Sequence, residues 1–266
     1  MTRAVTFATD VPAIRRVAHA LADAARTTTL RHFRQPIDVE SKGAAFDPVT
    51  VADRETEAAM RDLLARLRPE DAILGEEAAP TQGTSGLTWV LDPIDGTRGF
   101  VSGTPTWGVL IGLTDGTGPI FGVVDQPFTG ERFEGSAEGA VWTRADTRRD
   151  LRVRRTTALA EATILTTFPE VGTAEEGAAF RRVAERCRLT RYGMDCYAYA
   201  LLAAGHVDLV IEAGLHPYDI VAPIALVEAA GGIVTDWTGA PAHGGGRVLA
   251  AATPELHAAA LRMLDG

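Results

Sequence analysis

Apolar positions along the chain recur at two different periods, and the change between them divides it. Residues 10–34 read as a helix, with Asp10 as its N-cap and Pro36 closing it. After the stretch DPVTVAD, Met60, Leu63, Leu64 and Leu67 fall at i, i+3, i+4 and i+7, which predicts a second helix stopped by Pro69. TQGTSG at 81–86 reads as a surface loop. From Leu87 to Trp142 the pattern shortens to β runs, LTWVL, WGVLIGL, PIFGVV, ERFEG and GAVW, punctuated by Gly and Pro. The second half then alternates. TILTTF predicts a strand, and Phe180, Val183, Ala184 and Cys187 a helix; DCYAYALLAAG predicts a helix, VDLVIEA a strand and DIVAPIALVEAAGG a helix. IVTDW, RVLAAA and a last helix ending in LRML complete the series.

Two helices, a mostly antiparallel sheet and then alternating elements predict a layered α/β protein whose N-terminal part is α+β. Two subdomains are expected, residues 1–146 and 147–266, with the arginine-rich TRRDLRVRR of 147–155 at the crossing. At 266 residues and 46% hydrophobic content, the chain has ample material for a sizeable core.

Charge narrows the function classes. A formal net charge of −9 argues against sequence-independent nucleic-acid binding, which needs a basic surface to displace counterions. Small anionic substrates stay open, provided a bound cation reverses the local field. Cys187 and Cys196 form no CxxC pair, which fits a reducing compartment. The opening MTRAVTFATD lacks the apolar core of a signal peptide, and no apolar run is long enough to span a bilayer. A cytoplasmic protein without a membrane partner is the expectation. The six histidines show no HxxxH or HxxEH spacing, which argues against zinc catalysis.

The chemistry concentrates in LDPIDGTRGF, residues 91–100. Asp92 and Asp95 follow an apolar strand three residues apart, and Gly96 and Thr97 come directly after. Glu76 and Glu77 sit in ILGEEAAP, Asp47 and Asp53 in DPVTVAD, and Asp219 in HPYDIVAPI, where it is also placed to cap the next helix. Taken singly, each is an ordinary solvated or capping carboxylate. Should Glu76, Asp92, Asp95 and Asp219 converge, each close pair repels by about 4 kcal/mol at about 4 Å in an effective dielectric near 20. Divalent cations remove that repulsion, and Mg²⁺ prefers oxygen ligands while keeping waters that a phosphate can replace. Gly96 lets backbone approach a ligand closely, and successive amides at a turn or helix start cradle phosphate oxygens.

At this point the residues match a pattern. DPIDGTRGF resembles the signature of the inositol monophosphatase family, the Mg²⁺-dependent, lithium-sensitive sugar-phosphatase fold. DPVTVADRETE, ILGEE and PYDIVAPIALVEAAGGIVTDWTG are similar to its other segments, in the same order and over nearly the whole chain. The resemblance implies an αβαβα sandwich, commonly a homodimer, acting on a small phosphorylated substrate. It implies two or three Mg²⁺: one on Glu76, Asp92 and the Ile94 carbonyl, one on Asp92, Asp95 and Asp219, and a third, weaker one sharing Glu76. It implies an Asp47–Thr97 hydrogen-bonded pair that works with Glu76 to activate water, and phosphate held by the Gly96 and Thr97 amides.

Within the family, RYGMDCYAYALLAAGHVDLVIEAGLHPYDI and DQPFTGERFEG look more like the histidinol-phosphate phosphatase branch, with Asp195-Cys196-Tyr197 and Pro217-Tyr218-Asp219 as the telling triplets. Histidinol phosphate carries an ammonium and an imidazole, so additional carboxylates beside the leaving alcohol are useful partners. Asp195 and Glu212 are the substrate-binding candidates, although Asp195 also reads as the N-cap of the following helix. The expected activity is hydrolysis of L-histidinol phosphate in histidine biosynthesis. The alternatives are an inositol-1-phosphate phosphatase, a phosphoadenosine 3′-phosphatase, and a catalytically silent metal-binding protein that keeps only the fold. His216 is expected beside the site or at the surface, Glu228, Gly231 and Gly232 at a helix end, and Asp236 in a turn; Arg98 receives no role.

Overall fold

The computed structural model describes residues 10–41 and 48–264. Helix α1 (Val11–His32) begins where Asp10 accepts a hydrogen bond from the Ala13 amide at 3.1 Å, and it buries Ile14, Ala18, Leu21, Ala22 and Ala25 along one face. A short antiparallel pair follows, β1 (Val39–Ser41) and β2 (Pro48–Thr50). Helix α2 (Val51–Leu67) then starts in a capping box. The Thr50 amide donates to Asp53 Oδ2 at 2.8 Å, and Thr50 Oγ1 accepts from Ala52 at 3.1 Å.

The chain continues through β3 (Ala72–Gly75), β4 (Thr88–Asp95), the short helix α3 (Thr97–Ser102), β5 (Gly108–Thr114), β6 (Pro119–Gln126), β7 (Glu131–Ser136), β8 (Gly139–Arg144) and β9 (Thr147–Asp150). Among the described residues β3 to β9 form one seven-stranded sheet in chain order, parallel at β3–β4 and antiparallel elsewhere. The second half adds β10 (Thr163–Thr166), α4 (Ala174–Ala184), β11 (Leu189–Tyr192), α5 (Tyr197–Ala203), β12 (Leu209–Leu215), α6 (Pro217–Ala229), β13 (Ile233–Thr235), β14 (Gly246–Ala251) and α7 (Pro254–Leu264). Its five strands are ordered β11-β10-β12-β14-β13.

Packing produces five layers. α1 and α2 cover the outer face of the large sheet, where Trp89, Trp107 and Phe100 are fully buried. α5 and α6 fill the space between the sheets, and α4 and α7 cover the outer face of the second. Each fully buried large apolar side chain contributes about 1.5–3 kcal/mol relative to exposure. This is the expected αβαβα sandwich. No helix among the described residues is long and apolar enough to cross a membrane.

Strands β1, β2, β3, β9 and β11 have no counterpart in the sequence-based expectation. Each has only three or four residues, and β9 is exposed along its length, so partner strands rather than an apolar pattern define them. The first arginines of TRRDLRVRR accordingly belong to β9, the last strand of the large sheet.

The inner helix α6 is apolar all round, with every residue from Ile220 to Val227 buried. It reaches the sheet through a row of glycines. Gly112, Gly122 and Gly135 are direct cross-strand neighbours on β5, β6 and β7. A Cβ at Gly122 would lie 2.3 Å from the Ala222 carbonyl oxygen, and one at Gly135 would lie 2.3 Å from Leu226 Cα. Backbone blocks the added methyl in both cases, so the helix must shift to admit it. Gly122→Ala is expected to lower Tm by on the order of 5 °C, an overpacking cost. Because α6 carries Asp219, kcat should fall too, and a thermal melt run beside a turnover assay checks both.

Candidate active site

Two irregular strand ends build the acidic centre. The ladder between β4 and β5 shifts register between Asp92 and Asp95, and the ladder between β12 and β14 shifts between Glu212 and Leu215. A bulge re-aims side chains at a sheet's rim. The β4 irregularity gathers acids three residues apart into one place. Carboxylate oxygens of Asp92, Asp95 and Asp219 lie within 4.8 Å of one another, and Glu76 is close enough for its charge to act on Asp92. All four line one cavity of about 410 Å³ together with Ile94, Gly96, Thr97, Asp195 and Glu212. Each predicted metal or substrate residue among the described ones is therefore present in a single pocket. Asp47 lies outside the described residues.

Local structure holds each acid in place. Asp92 is buried, and its Oδ1 accepts the Ile94 amide at 3.0 Å. Asp95 Oδ2 accepts the Cys196 amide at 2.6 Å, and Asp219 Oδ2 accepts the His216 amide at 2.6 Å at the start of α6. His216, not Asp219, occupies the cap position; Asp219 sits in the first turn and supplies the reciprocal bond of a capping box while lining the site. The turn bearing Glu76 is gripped from beneath by Glu57, which accepts the Glu77 and Ala78 amides at 2.7 and 3.1 Å and pairs with Arg61 at 2.7 Å.

The electrostatics follow from crowding. Burial, then Glu76, Asp95 and Asp219, push the Asp92 carboxyl well above the usual carboxylate range. Burial, then Asp195 and Asp219, do the same to Asp95. An oxygen-only donor set at these separations, destabilised by its own charge, suits a hard divalent cation. The residues present fit Mg²⁺.

Gly96 takes φ 83°, and a Cβ there would meet Asp195 Cγ at 2.8 Å, so glycine is required both for conformation and for space. Thr97 opens α3, and its hydroxyl is 3.1 Å from the Ile94 carbonyl oxygen and 3.3 Å from Asp53 Oδ1. Asp53 is the described carboxylate that meets this hydroxyl. The spacing of Thr50 and Asp53 marks a cap, but nothing in the sequence points from Asp53 to Thr97, 44 positions on.

Asp195 and Glu212 line the same cavity, with Asp195 packed against Gly96. Asp195 does not cap α5: it adopts φ 46°, Cys196 occupies the cap position, and the Asp195 carboxylate takes the Thr106 hydroxyl at 3.5 Å. Burial pushes its pKa up to about 6, against the opposing pull of Thr106 and Arg98. Glu212 accepts from Thr166 Oγ1 at 3.1 Å, Thr167 N at 2.8 Å and Thr167 Oγ1 at 3.0 Å. Burial still raises it to about 7. The two threonines carried no sequence signal, since they lie some 45 positions from their partner. His216 stacks on Tyr218 at 5.0 Å on the pocket's rim. Asp236, as expected, closes a turn through the Thr238 and Ala240 amides.

Comparison with known proteins agrees with this geometry. The model of the inositol monophosphatase family matches residues 10–265. The chain is 40% identical over 233 residues to the Arabidopsis thaliana protein called bifunctional phosphatase IMPL2, chloroplastic, covering 87% of this chain and 66% of that one. It is 35% identical to the histidinol-phosphatase of Streptomyces coelicolor, covering 91% and 93% of the two chains. The solved structure of an inositol monophosphatase from Zymomonas mobilis superposes with a TM-score of 0.84 at 38% identity, over 94% of this chain and 97% of that one. With the family's segments in order, its layers and its acidic pocket all in place, the chain belongs to the inositol monophosphatase family of phosphatases.

Proposed function

We propose that this phosphatase is a Mg²⁺-dependent phosphomonoesterase that hydrolyses L-histidinol phosphate to L-histidinol and phosphate, the work of histidine biosynthesis. The observation that carries the reading is the pair of carboxylates, Asp195 and Glu212, that line the cavity beside the acids assigned to metal. A neutral polyol offers those carboxylates only hydroxyl hydrogen bonds, whereas an amino alcohol adds the attraction of an opposite charge.

Glu76, Asp92, Asp95, Asp219 and the Ile94 carbonyl would hold two or three Mg²⁺. Bound there, the ions supply neutralisation of phosphoryl and leaving-group charge and lower the pKa of water. The chain's own groups do the rest. The Gly96 and Thr97 amides hold phosphoryl oxygens, and Thr97 Oγ1, steadied by Asp53, orients the attacking water. The water oxygen bonds to phosphorus, its proton passes to the Glu76 carboxylate, the P–O bond to the alcohol breaks, and the alkoxide takes a proton from solvent. Asp195 and Glu212 hold the ammonium and imidazole of the departing alcohol. The same reading expects a cytoplasmic, lithium-sensitive homodimer.

Side-by-side phosphate release from histidinol phosphate, inositol 1-phosphate and 3′-phosphoadenosine 5′-phosphate tests it, each with Mg²⁺ and with excess chelator. The expected result is the highest kcat/KM on histidinol phosphate and loss of turnover with chelator. Preference for inositol 1-phosphate, in keeping with the Zymomonas relative, would replace the substrate while leaving the metal chemistry standing.

A further inference from the structure

DQPFTGERFEG and the Asp195-Cys196-Tyr197 triplet, far apart in the chain, meet in the fold. The Tyr197 hydroxyl donates to Glu131 Oε2 at 2.7 Å, across 66 positions of sequence. The same carboxylate accepts the Thr129 hydroxyl at 2.8 Å and the Trp142 indole N–H at 3.0 Å. The Tyr197 ring stands edge-on to Phe133 with centroids 5.9 Å apart. Burial, then Glu131, push the phenol's pKa up, so it stays a donor.

That bond ends a strap between the sheets. At the strap's start the Gly193 amide donates to the Thr166 and Thr167 carbonyls at 3.2 and 3.0 Å, beside β10. The same two threonines hold the Glu212 carboxylate. Glu131 lies on β7 of the large sheet, so residues 193–197 cross from one sheet to the other with Asp195 midway. Asp195 takes φ 46°, a conformation that L side chains rarely adopt and that persists only where the surroundings impose it. The Thr106 hydroxyl, at 3.5 Å, is too distant to impose it. The backbone on either side must do so. The Cys196 amide fixes one point on Asp95, and Tyr197 fixes the direction in which the chain leaves it.

We propose that Tyr197 and Glu131 are positioning residues for specificity: their bond anchors the strap and thereby sets the place of Asp195 relative to Glu212, to which a cationic alcohol is matched. This rests on the reading of those two carboxylates as the alcohol's partners. Asp95 keeps its own place on β4, so loosening the strap disturbs binding of the alcohol more than the phosphoryl chemistry.

The test uses purified full-length protein with Mg²⁺ in five forms: wild type, Tyr197→Phe, Glu131→Ala, their double variant and Glu131→Gln. The probes are histidinol phosphate, phosphoethanolamine as a small ester with an ammonium, and glycerol 2-phosphate as one without. Tyr197→Phe keeps the ring against Phe133, so the fold stays intact. It should raise KM for both ammonium-bearing esters about fivefold, the worth of one hydrogen bond, with kcat and glycerol 2-phosphate little changed. Glu131→Ala should do the same, and the double variant should be no worse than either single one, because one shared bond is lost only once. Glu131→Gln, which keeps an acceptor oxygen, should return KM toward the wild-type value. An equal loss on all esters, losses that add in the double variant, or an unchanged KM in Tyr197→Phe would overturn the proposal. A wild type that does not prefer phosphoethanolamine to glycerol 2-phosphate removes the reading of Asp195 and the pair with it, whereas a preference that survives Tyr197→Phe removes the pair alone.

Discussion

Asp95→Asn is expected to lower kcat/KM by roughly a thousandfold, equivalent to about 4 kcal/mol of transition-state stabilisation, while leaving the fold intact. Asp95 shares the tight carboxylate group with Asp92 and Asp219. An amide there keeps an acceptor for the Cys196 amide but loses the charge that a cation needs. Stability should move the other way. A carboxyl raised on folding keeps a proton that the unfolded chain releases, so the metal-free protein loses stability as pH rises from the ordinary carboxyl range toward the raised value. At neutral pH without Mg²⁺ the variant should therefore melt above the wild type, and added Mg²⁺ should stabilise it less. Steady-state kinetics and paired melts with and without Mg²⁺ check both halves. Full Mg²⁺-dependent turnover in the variant would remove Asp95 from the machinery.

The second large effect concerns Glu212 and pH. With its pKa near 7, the Glu212 carboxylate forms as pH rises through neutrality. An ammonium-bearing alcohol prefers the ionised form, so the ratio of kcat/KM for histidinol phosphate to that for inositol 1-phosphate should climb across that range. Taking a ratio cancels ionisations common to both reactions. Glu212→Gln keeps the threonine hydrogen bonds possible but cannot ionise. It should cost about 10- to 100-fold in kcat/KM on the cationic ester, the worth of a hydrogen bond between charged groups, and flatten the climb. An unchanged profile in this variant would mean that Glu212 only braces Thr166 and Thr167.

The acids that share the cavity stood out before any coordinates because their spacing is chemically expensive. Asp92 and Asp95 beside a buried strand, Glu76 after a glycine and Asp219 at a helix start make sense together only around a cation. Periodicity likewise exposed α1, α2 and α6, whose apolar faces are long enough to register. Short strands such as β9 and β11 stayed hidden, since three or four mostly polar residues hold no period of their own. The same limit applied to Asp53 and to Thr167. Their partners lie 44 and 45 positions away, and only folding decides such meetings.

By itself the sequence determined the layered class, an oxygen-donor set suited to a hard cation and the left-handed glycine beside it, because each follows from local spacing or from the steric freedom of one residue type. Tertiary structure alone decided that two bulged strands from different sheets point into a common cavity, that α6 rests on a glycine row, and that Arg98 lies over Phe168. Those are facts of long-range packing, where the position of one backbone sets the surroundings of another, and no nearby residue encodes them.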